Sequence, residues 1–566
     1  MTNRIRIITV LVLATQTLPF AQALALDATS DTEIVEHPSE KKLYMKGREE
    51  KAPPKIELPT LHRPVPDSLS TKELLHFTPR DFRFKGNTVF SDKELHGLIK
   101  QFINTPINSI DLEEIRLIIT NYYISHGYIT SGAIIPDQDL LDGLLLIEIK
   151  EGTLSDITIH NHGRLNPNYI KRRISFKQQA IHLSTLQDKL YRLQREPAIK
   201  HINARLLPGD IRGRSTLDLD ITENKPYSLD LEMNNHRPAR IGERQTIIRF
   251  NHINVSGWGD SLNAEVHRTS GMIASQLHYQ IPVGIDGDSA YVSASQSNTE
   301  LSEADQIFSE FSNDYTAYAG GYKQSLFEND IENFMVDWRL EHKRSYNSFA
   351  LNFCDGHSIN TVNLSAFRLG QSLIYHPQDI YFSLRHTMSV GVNAFDSISC
   401  SGKDADRHFY SWLWQFLWAK RFSPYHLQGI IKGDFQLSGY SLLAFEKYSL
   451  GGANSVRGYP ENFVLRDQGR SLSFELRAPL NTQRYRWVDS MQLLAFVDSG
   501  QAWNNDNGAS EETLSSIGIG YRLFTRHSHL LEILWAKSLH QTTQEQVDEH
   551  SLQDRGIHFR IKLNIY

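Results

Sequence analysis

Cysteine is nearly missing from this chain: Cys354 and Cys400 are the only two in 566 residues. Two thiols with no histidine pattern around them do not make a zinc site. Long apolar runs are missing as well. No segment beyond the N-terminus reaches the roughly 18 residues that a membrane-spanning helix requires. An excess of positive charge is also lacking, with 59 Lys and Arg against 65 Asp and Glu and a net charge of -6. That balance argues against a nucleic-acid partner. Catalytic signatures are absent too: the sequence has no G-x-S-x-G, no H-E-x-x-H and no G-x-x-x-x-G-K-[ST]. Its 24 histidines are scattered without ligand spacing. The expectation is a protein that is not an enzyme and holds no cofactor or metal.

What is present begins at the N-terminus. Arg4 and Arg6 precede a mostly apolar Ile7 to Leu13, and Ala23-Leu24-Ala25 is an A-x-A site. Residues 1–25 therefore read as a secretory signal peptide cleaved after Ala25. Export leads to an oxidising compartment, in which disulfides persist. A mean hydropathy of -0.40 suits a soluble protein, but membrane β-barrels share it, because only alternate strand residues face lipid. At 566 residues the chain also exceeds one ordinary domain. Residues 26–76 are polar and carry Pro53, Pro54, Pro59, Pro64 and Pro66, as an extended arm and linker would. A short helix early in the arm remains open.

From Phe77 the pattern mixes short strands with helices. In residues 77–152, a strand at Asp81 to Phe84 leads through Gly86-Asn87-Thr88 to a helix over Asp92 to Phe102. A second helix follows over Asp111 to Tyr123, with Asp111 as its N-cap. Strands at Tyr128 to Ile135 and Leu144 to Ile149 complete the order βααββ. Residues 153–226 repeat it: Ile157 to His160, Asn168 to Ile174, Leu183 to Arg195, Ile202 to Leu207 and Ser215 to Thr222. Two consecutive units of one order are an internal repeat whose sequences have drifted apart.

Residues 227–566 read as strands throughout. In Ser471 to Leu480, for example, Leu472, Phe474 and Leu476 alternate with Ser473, Glu475 and Arg477. Such alternation, sustained behind a signal peptide, predicts a lipid-facing antiparallel barrel of 16 strands, short turns on the periplasmic side and longer loops outside. A barrel of that size has room for an aqueous channel.

One loop stands out from this array, Leu450 to Gly469, reading LGGANSVRGYPENFVLRDQG. Connections longer than about 12–15 residues are usually functional or disordered. Its glycines 451, 452 and 458 let the backbone turn.

These segments together resemble a known family, the outer-membrane transporters of two-partner secretion: hemolysin or adhesin secretion/activation proteins of the Omp85 superfamily. The likeness covers nearly all of the chain after the signal peptide. FKGNTVFS at Phe84 to Ser91 and YYISHGYITSGAIIPDQDLLDG at Tyr122 to Gly143 are similar to a POTRA domain of this family. LLPGDIRGRSTLDLDI at Leu206 to Ile221 closes a second such domain, and NVSGWGDSLN at Asn254 to Asn263 resembles the first periplasmic hairpin. Val456, Arg457, Gly458 and Tyr459 match the tip of the family's inward-folding sixth loop, here about 446–469. Phe496, Asp498 and Gly500 match its FxDxG strand motif.

The resemblance implies α+β periplasmic POTRA-like domains followed by the barrel. It further implies a pore that recognises an exoprotein client through the POTRA-like domains and passes it outward without nucleotide. Arg457 would meet Asp498 on the inner wall as a loop lock. Other implied partners are outer-membrane lipid and, during biogenesis, the outer-membrane assembly machinery, for which the aromatic C-terminal Tyr566 suits the signal. By strand count Cys354 and Cys400 lie in the fourth and fifth outer loops, within disulfide reach of each other. An assembly factor for other outer-membrane proteins is the alternative within the superfamily, and a passive diffusion porin is a third reading.

Overall fold

A computed structural model describes residues 55–57 and 77–565, apart from loop segments of which 301–311, 395–407 and 541–550 are the longest. The signal peptide, any helix in the arm, Tyr566 and the Cys354–Cys400 pairing lie outside the described residues. The chain divides into two compact units between Pro226 and Tyr227.

The first unit contains both βααββ segments. In the first segment, β2 (Asp81–Lys85), α1 (Asp92–Ile99), α2 (Ser109–Ser125), β3 (Gly132–Ile134) and β4 (Leu144–Lys150) form a sheet of order β2-β4-β3 backed by two helices. Helix α1 starts where it does because Ser91 accepts from the Glu94 amide while the Glu94 carboxylate accepts from the Ser91 amide. The cap of α2 is Asn108, not Asp111. Asn108 Oδ1 accepts from the amides of Ile110 (2.7 Å) and Asp111 (3.2 Å), and Asp111 reaches back to the Asn108 amide at 2.7 Å. Asp111 is thus the third helical residue of a capping box, and the helix begins two residues before it. The strand expected over Tyr128 to Ile135 shrinks to Gly132–Ile134, because a turn in which the Ser131 amide donates to Tyr128 O comes first.

Leu95, Ile99, Ile115, Ile119, Tyr123, Leu145, Ile147 and Ile149 fill the core of this segment. Each such burial is worth about 1.5–3 kcal/mol. Glu151 ties the loop after β2 to α2: it accepts from the amides of Thr88 (2.6 Å) and Val89 (2.8 Å) and from the Tyr123 hydroxyl (3.0 Å). Burial, reinforced by that carboxylate, holds the Tyr123 phenol above its ordinary pKa, so it stays a donor.

The second segment comprises β5 (Thr153–Asn161), α3 (Pro167–Ile174), α4 (Leu183–Arg195), β6 (Ile199–Pro208) and β7 (Arg214–Glu223). A strand of the linker, β1 (Lys55–Glu57), adds in parallel to β6, giving the order β1-β6-β7-β5. Helix α4 turns Leu186, Leu190 and Leu193 into the core. The two segments are hydrogen-bonded to each other, Ile181 N to Gly152 O at 2.8 Å and Leu183 N to Gly127 O at 2.9 Å. The His182 ring packs edge-on against Tyr128.

The second unit is a closed antiparallel barrel of sixteen strands, as the alternation predicts. Its first half is β8 (Tyr227–Asn234), β9 (Gln245–Ile253), β10 (Ser261–Arg268), β11 (Met272–Pro282), β12 (Ser289–Glu300), β13 (Ser312–Glu328) and β14 (Glu332–Asn347). A small hairpin, β15 (Asn352–Cys354) and β16 (His357–Ile359), intervenes. The wall continues through β17 (Thr361–Tyr375), β18 (Ile380–Val392), β19 (Tyr410–Phe422) and β20 (Leu427–Ser438). A loop holding the short strands β21 (Tyr448–Leu450) and β22 (Val464–Arg466) follows. Then come β23 (Gln468–Leu480), β24 (Val488–Trp503), β25 (Glu512–Thr525), β26 (Leu530–Ser538) and β27 (Ile557–Asn564), which pairs with β8.

Burial in the barrel is inverted relative to a soluble protein. Along β23, Leu472, Phe474 and Leu476 are exposed while Ser473, Glu475 and Arg477 are buried. Along β25 and β26, Ile517, Ile519, Ile533 and Trp535 face out, and Ser516, Arg522 and Glu532 face in. An apolar exterior around a polar interior is stable only when the solvent is lipid.

Candidate functional site: the inward loop and its anchors

Between β20 and β23 the chain folds into the barrel instead of away from it. Strands β21 and β22 pair as a hairpin, Tyr448 opposite Arg466 and Leu450 opposite Val464, and the residues between them form its tip. Tyr448, Leu450, Val456, Tyr459 and Val464 build a small apolar cluster with Ala502 and Leu514 of the wall. The loop thus brings a core of its own to the lumen.

Arg457 is 2% exposed and Asp498 fully buried. Arg457 Nε donates to Asp498 Oδ2 at 2.7 Å and Nη2 to Oδ1 at 2.8 Å, a bidentate pair, while the Arg457 amide adds 3.1 Å to Oδ2. Nη1 donates to Glu475 Oε2 at 2.6 Å and Nη2 to Ser473 Oγ at 2.9 Å. The guanidinium carbon stands 3.4 Å from the centroid of the Phe496 ring. Every side of the cation is occupied, as a desolvated charge requires.

The other motif residues serve the same seat. Gly458 has φ +90°, and a Cβ there would lie 3.0 Å from Ala536 Cβ and from Ala536 O. Its amide donates to His558 Nε2 at 3.2 Å. The Tyr459 hydroxyl lies 3.1 Å from Ser515 O and 3.2 Å from His540 O. Gly500 makes room for the loop: a Cβ would come 2.4 Å from Leu450 and 3.1 Å from Val456. Val456 itself is fully buried against the wall.

Several participants carry no signal of their own in the sequence. Glu475 and Ser473 read only as lumen-facing polar residues of β23. His558 reads as one alternating position of β27. Glu446, at the base of the loop, accepts from Lys343 Nζ at 3.0 Å and Arg368 Nη2 at 2.7 Å, on the wall formed by β14 and β17. Glu341 completes this group, accepting from Arg368 Nε at 2.8 Å. The loop is therefore fixed at its base to β14 and β17 and at its tip to β23, β24 and β27. The only cue to Glu446 was its place at the loop's edge, since its partners lie some 80 and 100 residues away.

Comparison with known proteins agrees with this architecture. The family model described as haemolysin secretion/activation protein ShlB/FhaC/HecB matches residues 213–523, and the POTRA domain of ShlB type matches residues 77–152. The chain is 24% identical to the outer membrane transporter CdiB of Dickeya dadantii (strain 3937), over 76% of this chain and 77% of that one. It is also 24% identical to the hemolysin transporter protein HpmB of Proteus mirabilis, over 86% of each. Among solved structures it superposes on CdiB from Escherichia coli with a TM-score of 0.63 at 19% identity, covering 89% of this chain and 93% of that one. With a polar-lined sixteen-stranded barrel, an inward loop seated by Arg457 and ShlB-type matches across both units, the chain belongs to the haemolysin secretion/activation family of outer-membrane transporters.

Proposed function

We propose that this protein is a pore of the outer membrane that takes one large exoprotein, of the hemolysin or adhesin type, from the periplasm to the cell surface. The client is captured as an extended segment by the two βααββ domains, residues 77–152 and 153–226. Sheet edges such as β2 offer a ladder to such a segment, with main-chain bonds giving affinity and side-chain pockets giving selectivity. The signal peptide is residues 1–25, and the barrel, residues 227–566, is the conduit. No nucleotide takes part; the client's folding outside supplies the direction. Outer-membrane lipid surrounds the pore, which the cell's assembly machinery inserts.

The observation that carries this reading is the seat of Arg457 on Asp498 and Glu475, inside a barrel whose loop spans the lumen. A passive porin needs no such seat. Arg457 and Asp498 act as a lock, with Val456, Gly458, Tyr459, Phe496 and Gly500 shaping its fit, and a client passes when the lock opens.

The test compares surface and secreted proteins of cells with and without this chain, adding back wild type or Arg457→Ala. Loss of one very large exported protein, restored by wild type and by less than about a tenth with Arg457→Ala, is expected, since losing a buried ion pair worth about 3–5 kcal/mol leaves the loop with no seat to open from and return to, and it obstructs the lumen in disordered positions. An unchanged exported set with broadly depleted barrel proteins would overturn the reading in favour of an assembly factor.

A further inference from the structure

The barrel closes where β27 meets β8, along its shortest ladder among the described residues: five paired residues, from Asn234 opposite Arg560 to Asp230 opposite Asn564, followed by one bond from Ile565 N to Leu229 O at 2.9 Å. The outward continuation of this seam is made by side chains. Asn235 Nδ2 donates to Ile557 O at 2.8 Å and Asn235 Oδ1 accepts from Phe559 N at 2.8 Å, so one amide copies a backbone rung. Gln553, fully buried in the turn before β27, donates through Nε2 to Asn235 O at 2.5 Å and Arg237 O at 2.6 Å. Its Oε1 accepts from the amide of Glu461, in the tip of the inward loop, at 2.9 Å. His558 on β27 is the acceptor for Gly458 N.

One buried side chain on the approach to the last strand thus bonds two other segments: the stretch that follows the first strand and the tip of the loop. A buried amide cannot lose one of these partners cheaply, because the orphaned group has no water to turn to. With so short a ladder, the side-chain bonds are a large share of what holds the seam. Coupling of this kind is reciprocal: what loosens the loop loosens the seam, and what fixes the seam steadies the loop.

We propose that Gln553 is a positioning residue that couples the inward loop to the closing seam of the barrel, so that release of the Arg457 lock also loosens the β8–β27 junction. The proposal rests on the reading of Arg457 and Asp498 as a lock.

Hydrogen exchange on the full chain in lipid nanodiscs tests it, comparing wild type, Arg457→Ala, Gln553→Ala and the double variant. Arg457→Ala should speed exchange at Gly458 and Glu461 and also, by about tenfold or more, at Ile557–Arg560. Gln553→Ala should speed both regions, and Arg457→Ala should then add little at the seam. Loop amides freed by Arg457→Ala beside seam amides at the wild-type rate would overturn the coupling and leave the lock intact. Loop amides unmoved by Arg457→Ala would instead overturn the lock, and the coupling with it.

Should Gln553→Ala fail to fold, a disulfide replaces it. Met233→Cys and Ile561→Cys stand directly opposite across the seam, and Cys354 and Cys400 become serine in that background. Oxidation should slow loop exchange in the Arg457→Ala chain at least severalfold. The same loop rate with the bridge closed and open would overturn the proposal.

Discussion

At the scale of the residue, the seat of Arg457, proposed above as a lock, depends on the shape of a guanidinium and not on charge alone. Arg457 reaches Asp498 with two parallel bonds, Glu475 with a third and Ser473 with a fourth, while its plane lies on Phe496. A lysine carries the same charge as a compact point with three donors and no plane to stack. Arg457→Lys should therefore hold the loop less well than wild type but better than Arg457→Ala. The loss expected is about 1.5–3 kcal/mol for each charge-assisted bond not replaced. Limited proteolysis of the loop in the folded chain would rank the three; a lysine chain as resistant as wild type would mean that charge alone suffices. Much of this site was legible beforehand. The match of Phe496, Asp498 and Gly500 to the strand motif put the carboxylate on the inner wall, and the loop residues stood out by their composition. Glu475 and Ser473 were not legible, because a polar lumen residue has the same sequence signature whether it faces water or a buried arginine.

At the scale of the element, local chemistry placed α4 over Leu183–Arg195 and the strand at Ser471 to Leu480 within a few residues of β23, since both rest on a single apolar period. The failures came where one signal had two readings. Asp111 is an equally good cap or third residue of a capping box, and only Asn108 ahead of it decides. Tyr128 to Ile135 has strand composition, yet a turn occupies its first half. That turn also fixes one domain to the next. Gly127 has φ +87°, and a Cβ there would sit 2.6 Å from the His182 ring. Gly127→Val should cost about 1–3 kcal/mol through that backbone conformation alone. It should also push away His182 and break the bond from Leu183 N. Faster exchange at residues 180–184, with α1 and β4 unaffected, is the expected outcome; unchanged protection there would mean that the junction absorbs the side chain.

At the scale of the whole molecule, a sheet that closes on itself leaves no edge and puts its apolar face outward, so lipid completes the fold. Ile519 is 60% exposed at the middle of β25. Ile519→Arg should destabilise the folded barrel by about 2–4 kcal/mol in bilayers, the cost of a cation near the midplane. Ser516, fully buried on the opposite face of the same strand, belongs to the lumen, where this lipid cost does not arise. Denaturant titration with refolding into vesicles reads the difference, and a neutral Ile519→Arg would mean that this face does not meet hydrocarbon. The two-ended attachment of the inward loop has one more consequence. Glu446 remains paired with Lys343 and Arg368 when only the tip lets go, and Arg457 follows it eleven residues later. A tether of that length returns to its seat in about 10–100 ns when nothing obstructs it. Its local concentration at Asp498 is about millimolar or above. On the proposed reading of Arg457 and Asp498 as a lock, the gate is self-resetting: it stays open only while something fills the lumen, and the passing chain itself is the doorstop.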